Sequence, residues 1–279
     1  MEDILSDRKK IKNIIARELK DVIKKYGKPR NTMFFYKNDI ADVDIEDEIP
    51  DYPVNLFMSE SGYFKKITPQ SLRMSSEHKL KEGDRIIFHR ETTNSAELLF
   101  FTNNCQVYKS KASAFDDTKA SVMGDYIPAK LSFDDGEEFV YMAVTSDYEG
   151  YMLFFFENGK VAKVDITAYQ TKTNRKKLLK AYSLKSPLAC CEYIEEDTEF
   201  VLSSSSGRML ILNTGALTPK TSKDTIGVSV MTQKKNHKVD SMHKYVEGEF
   251  EKAWRFRTKN LPAAGALPGP SDNAQQISF

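Results

Sequence analysis

Apolar residues near the amino terminus recur with helical spacing. Intervals that alternate between seven and four residues place them in one stripe on a helix. Gly27 followed by Pro29 is a typical end signal, so the pattern predicts a long amphipathic helix that ends near Tyr26. The stripe consists of Ile4, Ile11, Ile15, Val22 and Tyr26.

After residue 53 the pattern changes to the alternation of β-strands, and one unit recurs four times. Each copy has an apolar strand, a tight turn of small polar residues, and a second strand that begins with basic residues or alternates. The copies occupy residues 55–66, 97–109, 152–163 and 200–211, and their turns close on Gly62, Cys105, Gly159 and Gly207. Because Cys105 is the exception among glycines, we expect a different turn or local strain there.

The repeats predict an all-β fold. The turns lie about 43 to 54 residues apart, and acidic turns near residues 81–84, 134–137 and 195–197 indicate a second strand pair in the first three units. Four strands per unit is typical of propeller blades. We expect a helix over residues 1–29, an acidic linker and first strand over 30–53, and a four- to five-bladed disc over 54–250. A disordered tail should follow over 251–279, where residues 261–279 are rich in Pro, Ala, Gly and Ser.

The net charge is only +1, but the charges are segregated along the chain. Residues 39–50 are strongly acidic, whereas the helix and residues 160–185 are strongly basic. The basic face of the helix is compatible with contacts to DNA phosphates or with simple exposure to water. The acidic stretch is typical of a connector that repels DNA.

The sequence gives little support for a metalloprotein, an enzyme or a membrane protein. The three cysteines and four histidines lack metal-ligand spacing, and the chain contains no phosphate-binding loop or nucleophile elbow. The acidic pairs in the loops are typical of solvated turns. There is no apolar run of membrane-spanning length and no signal-like amino terminus, so we expect a reducing, cytosolic location without a membrane, metal or enzyme site.

Cations recur at and after the second strand of each hairpin. In a disc of blades, equivalent positions would form a band along the rim that contacts DNA phosphates without reading base sequence. A merely solvated face is the alternative. The candidate DNA-binding residues are Lys65, Lys66, Arg73, Lys109, Lys111, Lys160, Lys163, Lys172, Arg175, Lys176, Lys177, Arg208, Lys220 and Lys223.

Three segments together resemble the A subunits of bacterial type IIA DNA topoisomerases, the gyrase and topoisomerase IV family. Residues 54–67, VNLFMSESGYFKKI, resemble the first-blade signature of the carboxy-terminal domain. Residues 4–11, ILSDRKKI, and 25–32, KYGKPRNT, resemble the last helix of the coiled coil in the breakage-reunion core. The acidic connector stands where the family has its linker.

The resemblance implies a β-pinwheel, a propeller-like disc whose blades exchange strands and whose basic rim binds and bends double-stranded DNA. It further implies two protein partners, which are the rest of the same topoisomerase polypeptide and the B subunit. ATP and Mg²⁺ would be bound by the B subunit, with no cofactor in this chain. The location implied is the bacterial cytoplasm, in association with the nucleoid.

Two departures from the family limit what is carried over. Residues 74–84, MSSEHKLKEGD, stand where gyrase has a box rich in Gln, Arg and Gly that chiral wrapping requires, so the chain is more similar to topoisomerase IV. It also lacks an Arg-Tyr pair, and with it the tyrosine that cleaves DNA. Two interpretations remain open: the chain is a fragment of a longer A subunit, or it is a separate polypeptide. A different function also remains open, a protein-interaction scaffold that uses exposed aromatics such as Tyr63 and Tyr169.

Overall fold

The computed structural model describes residues 7–28, 50–75, 77–171 and 176–269. The chain divides into two compact units, Met1–Glu48 and Ile49–Phe279. The described part of the first unit is a helix, and the second unit contains all the described strands. The acidic residues 39–49 lie outside the described residues.

Helix α1 spans Arg8–Tyr26, which confirms the helix predicted from the sequence. The Asp7 carboxylate accepts a hydrogen bond from the backbone N–H of Lys9 at 2.8 Å and caps the first turn. Lys24 and Lys25 occupy the last turn, where cations favour the helix dipole. Its apolar stripe is at least half exposed at Ile15, Leu19, Val22, Ile23 and Tyr26.

The regular elements of the second unit are mostly short strands. In chain order they begin with β1 (Pro53–Ser59), β2 (Tyr63–Ile67), helix α2 (Pro69–Met74), β3 (Ile86–Thr93), β4 (Glu97–Thr102), β5 (Gln106–Lys111), β6 (Asp117–Thr118), β7 (Asp125–Tyr126) and helix α3 (Ile127–Lys130). They continue with β8 (Phe139–Thr145), β9 (Tyr151–Phe156), β10 (Lys160–Asp165), β11 (Lys177–Leu179), β12 (Leu188–Ile194), β13 (Glu199–Ser204), β14 (Met209–Asn213), β15 (Val228–Ser229) and β16 (Val239–Lys244).

These strands form four sheets, which we name blades A to D. Blade A has the order β3-β1-β2-β6, with β7 also paired to β2; blade B has β8-β4-β5-β11; blade C has β12-β9-β10-β15; and blade D has β16-β13-β14. Each of the four predicted hairpins is the centre of one blade. The arrangement is a four-bladed, propeller-like pinwheel, which confirms the predicted fold class.

The blades exchange strands in a regular way. After each hairpin from the second onward, the chain returns to the preceding blade and pairs with the second strand of that blade's hairpin. It then adds an inner strand, β8, β12 or β16, to the first strand of the newest hairpin. Each blade is therefore completed only when the following part of the chain has folded, and the second hairpin strand becomes an internal strand of its sheet.

Aromatic residues on successive positions of one strand join neighbouring blades. Adjacent residues of a strand point to opposite faces of the sheet, so Phe100 faces blade A while Phe101 faces blade C. The pairs of rings, with the distances between their centroids, are Phe64–Phe100 at 6.0 Å, Phe101–Phe154 at 5.7 Å and Phe155–Phe200 at 5.7 Å. Each side chain removed from water in these layers contributes about 2 kcal/mol.

The two terminal blades bury their outer faces under segments of their own. On blade A, Phe57 and Ile67 pack with Leu72 of α2. On blade D, Ile211 packs with Phe250 and Phe256 from the chain that follows β16. Residues 251–269 thus pack on blade D, whereas the sequence predicts a disordered tail there; residues 270–279 lie outside the described residues.

All four hairpins have a residue with left-handed backbone conformation at the same position of the turn. The φ angle is +57° at Cys105, close to +75° at Gly207 and +78° at Gly159. The turn at Cys105 is therefore the strained version of the common turn, one of the two outcomes expected from the sequence. Its side chain is buried in the core between blades B and C, and this burial offsets the strain of about 1 kcal/mol.

The turn glycines predict a difference between two Gly→Ala variants. Gly83 and Gly159 have nearly the same φ, +77° and +78°, but an added Cβ meets nothing within 4 Å at Gly83 and lies 2.0 Å from the Met231 carbonyl oxygen at Gly159. Gly83→Ala should cost about 1 kcal/mol of unfolding free energy from backbone strain alone, and Gly159→Ala at least twice that amount. Urea unfolding of the two variants measures both; equal losses would show that the close approach to blade C's edge is unimportant.

Candidate nucleic-acid interface

The most regular cation of the repeat stands four residues after the turn. Lys66, Lys109 and Lys163 occupy this position in the first three hairpins, and their side chains are 3%, 11% and 2% exposed. They lie on internal strands because the exchanged strand covers them. Each ammonium group therefore contacts groups from a later part of the chain as well as groups of its own repeat.

Lys66 is enclosed by polar groups from the following repeat. Its Nζ donates to Asn94 Oδ1 at 2.8 Å and lies 3.1 Å from Asp117 Oδ1. The ring of Tyr52 lies 5.8 Å from the ammonium group, and the Tyr52 hydroxyl donates to the same Asp117 carboxylate at 2.8 Å. A carboxylate, an amide oxygen and an aromatic face thus surround the charge.

Lys109 has an equivalent environment in blade B. Its Nζ lies 3.2 Å from Glu97 Oε2 and 3.3 Å from Thr171 Oγ1. The ring of Tyr148 lies 5.2 Å from the ammonium group, and the Tyr148 hydroxyl donates to the Glu97 carboxylate. The combination of lysine, carboxylate and tyrosine found in blade A recurs here with different residues.

Lys163 repeats the arrangement in blade C. Its Nζ donates to Asp197 Oδ1 at 2.6 Å and to the Thr214 carbonyl oxygen at 3.3 Å. The ring of Tyr151 lies 4.3 Å away. Burial alone would raise the pKa of Asp197, but hydrogen bonds from Lys163 and Thr214 outweigh it, so this pKa lies below its ordinary value of 3.8.

Lys65 points to the opposite face of β2 and is also buried. Its Nζ donates to the carbonyl oxygens of Lys79 at 2.8 Å and Ala120 at 2.9 Å. Burial lowers its pKa, partly opposed by the charge of Asp84. Moving such an ammonium group to a phosphate would break its internal bonds and leave buried acceptors unpaired. In this conformation Lys65, Lys66 and Lys163 cannot reach DNA.

The other cations predicted to bind DNA differ in exposure. Lys177 is bonded to Asp134 Oδ2 at 2.6 Å, and Arg208 Nη1 donates to the Gly265 carbonyl oxygen at 2.8 Å. Lys111, Lys160 and Lys223 are partly buried. Arg73, Lys176 and Lys220 are exposed, while Lys172 and Arg175 lie outside the described residues.

The exposed cations share a place in the fold. Arg73 lies in the last turn of α2, Lys176 directly precedes β11, and Lys220 lies beside β10, where it forms a parallel bridge with Val164. All three follow a second hairpin strand. Lys176 and Lys220 lie on segments that run along the outer edges of blades B and C, and Arg73 lies on the helix that covers the outer face of blade A. The sequence pattern missed further exposed cations on these edge segments, which are Lys119, Lys180, Lys185, Lys234, Lys235 and Lys259.

The inner side of the blades has the opposite charge. Strand β12 contacts both β8 and β16, and Arg90 of β3 contacts Glu195 after β12. A cavity of about 390 Å³ between these elements is lined by carboxylates and two cations. Its charged residues are Arg90, Glu192, Glu195, Glu196, Asp197 and Lys244. This excess of acid disfavours phosphate, so the outer edges are the surface suited to a polyanion.

The aromatics predicted to bind a partner are not free rings. Tyr169 is fully buried, and its hydroxyl donates to the Ala181 carbonyl oxygen at 2.7 Å. Tyr63 is half-buried against Tyr126, with 5.2 Å between the ring centroids. Among the described aromatics of the second unit, Trp254 is the most exposed, at 73%, ahead of Tyr126 at 46%. It lies on the segment that follows β16.

Clusters of metal-binding side chains and membrane-spanning helices are both missing from the part of the chain that the structure describes. Within those ranges, no group of three or more His, Cys, Asp and Glu side chains is arranged to hold a metal ion. Among the same residues, no helix has the length and apolarity needed to cross a membrane.

The fold defines a class, the β-pinwheel. The crystal structure of the C-terminal domain of DNA topoisomerase IV superposes with a TM-score of 0.64 at 21% identity, covering 79% of this chain and 72% of the other. The C-terminal domain of ParC from E. coli superposes with a TM-score of 0.60 at 15% identity, covering 77% and 93%. These similarities establish the shared fold.

The particular relatives agree with the fold, although no protein-family model matches the chain. It is 27% identical over 189 residues to the A subunit of DNA topoisomerase 4 from Bacillus subtilis, covering 66% of this chain and 23% of the relative. It is 26% identical over 255 residues to the chloroplastic/mitochondrial DNA gyrase A subunit of Nicotiana benthamiana, covering 87% and 27%. The homologues of this chain are topoisomerase IV and gyrase A subunits, which confirms the resemblance, and the chain spans about a quarter of their length.

The lowered pKa of Asp197 predicts acid sensitivity. A carboxyl whose pKa is lower in the folded than in the unfolded state contributes stability above the unfolded value, and this contribution is lost as the pH falls through the folded value. The contribution of Asp197 should therefore be present at pH 5 and disappear below pH 3.8. Chemical unfolding of the wild type and of Asp197→Asn between pH 2.5 and 6 measures it. The variant should lose less stability on acidification, and parallel curves would contradict the assignment.

Proposed function

We propose that this chain is a non-catalytic DNA-binding and DNA-bending module of a type IIA topoisomerase A subunit. In that role it supports relaxation or decatenation by the complete enzyme. The observation that carries the proposal is the separation of charge in the pinwheel, with exposed cations on the outer edge segments and carboxylates around the inner cavity. The kinship with topoisomerase A subunits supports it.

The outer edges suit a duplex because they present isolated, exposed cations. Exposed lysines bind phosphate as point charges and impose no base preference. Binding to several edge segments in succession would require the duplex to curve around the disc. Bending a site of 20–30 base pairs by 40–90° costs about 1–6 kcal/mol, which a few phosphate contacts offset.

The chemistry of strand passage belongs to other parts of the proposed enzyme. The remainder of the A subunit supplies the tyrosine that cleaves DNA, and the B subunit supplies the sites for ATP and Mg²⁺. This chain contributes DNA binding without a cofactor of its own, in the cytoplasm at the nucleoid. The absence of the gyrase box favours a role like that of topoisomerase IV, in which the module holds and bends a segment instead of wrapping it chirally.

A protein-interaction scaffold is the second candidate. The exposed Trp254 favours it, because exposed tryptophans are frequent anchors of protein interfaces. Under this alternative, replacing edge cations would leave binding to the partner protein intact.

Reversing exposed edge charges separates these functions. The variant Arg73→Glu/Lys176→Glu/Lys220→Glu should bind duplex DNA at least about tenfold more weakly at 50 mM salt and reduce the slope of log affinity against log salt by about three. Fluorescence anisotropy with a labelled 40-base-pair duplex of arbitrary sequence measures both quantities.

Two variants control for this experiment. Lys244→Glu makes one such charge reversal beside the inner cavity and should leave affinity within about twofold of the wild type. Lys163→Met removes a buried cation and should lower stability by about 1–2 kcal/mol without changing the affinity of the folded protein. A triple variant that binds like the wild type would refute the edge surface as the DNA site.

Bending without chiral wrapping has a separate signature. The module should accelerate ligase closure of a duplex of about 150 base pairs, close to one persistence length, because a prebent duplex brings its ends together. After relaxation in its presence, larger circles should show an unchanged mean linking number. A consistent shift of the linking number to one sign would indicate wrapping and contradict the comparison with topoisomerase IV.

A further inference from the structure

The three buried lysines make contacts that follow one rule. The lysine of each hairpin contacts one group just before the next hairpin and one just after it. We call this set of a cation, a carboxylate and an aromatic ring a blade latch. The groups before and after the next hairpin are Asn94 and Asp117 for Lys66, Tyr148 and Thr171 for Lys109, and Asp197 and Thr214 for Lys163.

The rule has a structural consequence. An ammonium group that is excluded from water must find internal acceptors, or the charge destabilises the folded state by several kcal/mol. For Lys66 and Lys163 those acceptors come from the two ends of the next hairpin. Lys109 has its carboxylate, Glu97, in its own hairpin, and the ends of the next hairpin supply the Tyr148 ring and the Thr171 hydroxyl. Each latch therefore couples the completion of one blade to the correct position of its successor.

Blade D departs from the rule at the latch position. The residue four positions after its turn is Ile211, which packs against Phe250 and Phe256. No fifth hairpin follows in the part of the chain that the structure describes, so a lysine at this position would have no ends of a following hairpin to contact. An apolar residue replaces it, but Glu199 at the start of β13 still needs a cation.

Arg257 supplies that cation from the segment after β16. Its Nε donates to Glu199 Oε1 at 2.9 Å and its Nη2 to Glu199 Oε2 at 2.7 Å. Its guanidinium lies 5.1 Å from the centroid of the Tyr245 ring. Glu199 stands eight residues before its turn, as Glu97 does in blade B, so the carboxylate of the latch is in the same position. The cation, carboxylate and ring are all present, with arginine in place of lysine.

The same segment replaces the exchanged strand of blade D. Arg257 forms a parallel bridge with Ile211, whose N–H donates to the Phe256 carbonyl oxygen at 2.9 Å. Met209 and Ala266 exchange two backbone hydrogen bonds of 2.8 and 2.9 Å. The chain after β16 thus occupies the place that a following repeat occupies in the other blades.

We propose that residues 250–266 are the terminating element of the pinwheel and that the Arg257–Glu199 pair is its latch. Among the described residues the fourth blade has no successor, since Ile211 replaces the latch lysine and a cation from the same chain completes the last carboxylate. This role does not depend on DNA binding, so it is tested independently of the proposed function.

Hydrogen exchange in the full-length chain tests the proposal. Arg257→Ala and Glu199→Gln should each speed exchange about tenfold at the amides of Met209, Ile211 and Ala266, because the segment opens more often. The double variant should exchange no faster than either single variant, since both remove one interaction. Amides of β4 and β5 in blade B should be unchanged.

Lys259→Ala, an exposed residue on the same segment, is the matched control. If Arg257→Ala exchanges within about twofold of it, or if the effects of the two latch substitutions multiply in the double variant, the latch is refuted. Arg257→Lys keeps the charge but loses the bidentate hydrogen bonds to Glu199. It tests the proposal if Arg257→Ala fails to fold. It should raise exchange about threefold at the same three amides; wild-type rates, or a rise spread over all four blades, would overturn the proposal.

Discussion

The second strand of each of the first three hairpins is covered by a strand that the chain supplies later, and that of the fourth by the segment 250–266. This exchange is the constraint on which the other features depend, since it turns an edge strand into an internal one and removes its side chains from water. A lysine buried in this way needs a carboxylate and polar oxygens, and the following repeat provides at least one of these groups for each lysine. The apolar layers between blades use the same geometry, because successive phenylalanines of one strand face two neighbours. Charge pairing and apolar packing therefore both require consecutive repeats.

The exchange also determines where charge is available at the surface. Cations within the hairpins are largely neutralised inside the sheet, whereas those on the connecting segments remain in water. The inner strands meet around a cavity rich in carboxylates. A nearly neutral protein can thus have an outer edge suited to a polyanion, and its net charge says little about its partners. The buried lysines and the exposed ones have the same chemistry and differ only in what the fold places over them.

A repeat protein must also end its array without leaving an apolar face or a buried charge unsatisfied. At the first blade, α2 covers Phe57 and Ile67. At the last blade, Phe250 and Phe256 cover Ile211 and Val201, and Arg257 pairs with Glu199. Both ends use the segment next to the terminal hairpin, so the boundaries of the array are built from its own connections.

Several features were predictable from local pattern alone. The spacing of apolar residues in α1, the left-handed turn residues and the four alternating hairpins are set by interactions within a few residues, and they sufficed for the fold class and the resemblance to topoisomerase A subunits. The burial of Lys66, Lys163 and Tyr169 was not predictable in this way, because the groups that bury them lie far along the chain. The same holds for residues 251–269, where the partner of Arg257 lies 58 residues earlier in the chain. The sequence by itself determined the repeated units and their order; only the tertiary structure decided which cations are buried and which face water, because burial depends on strands exchanged between repeats.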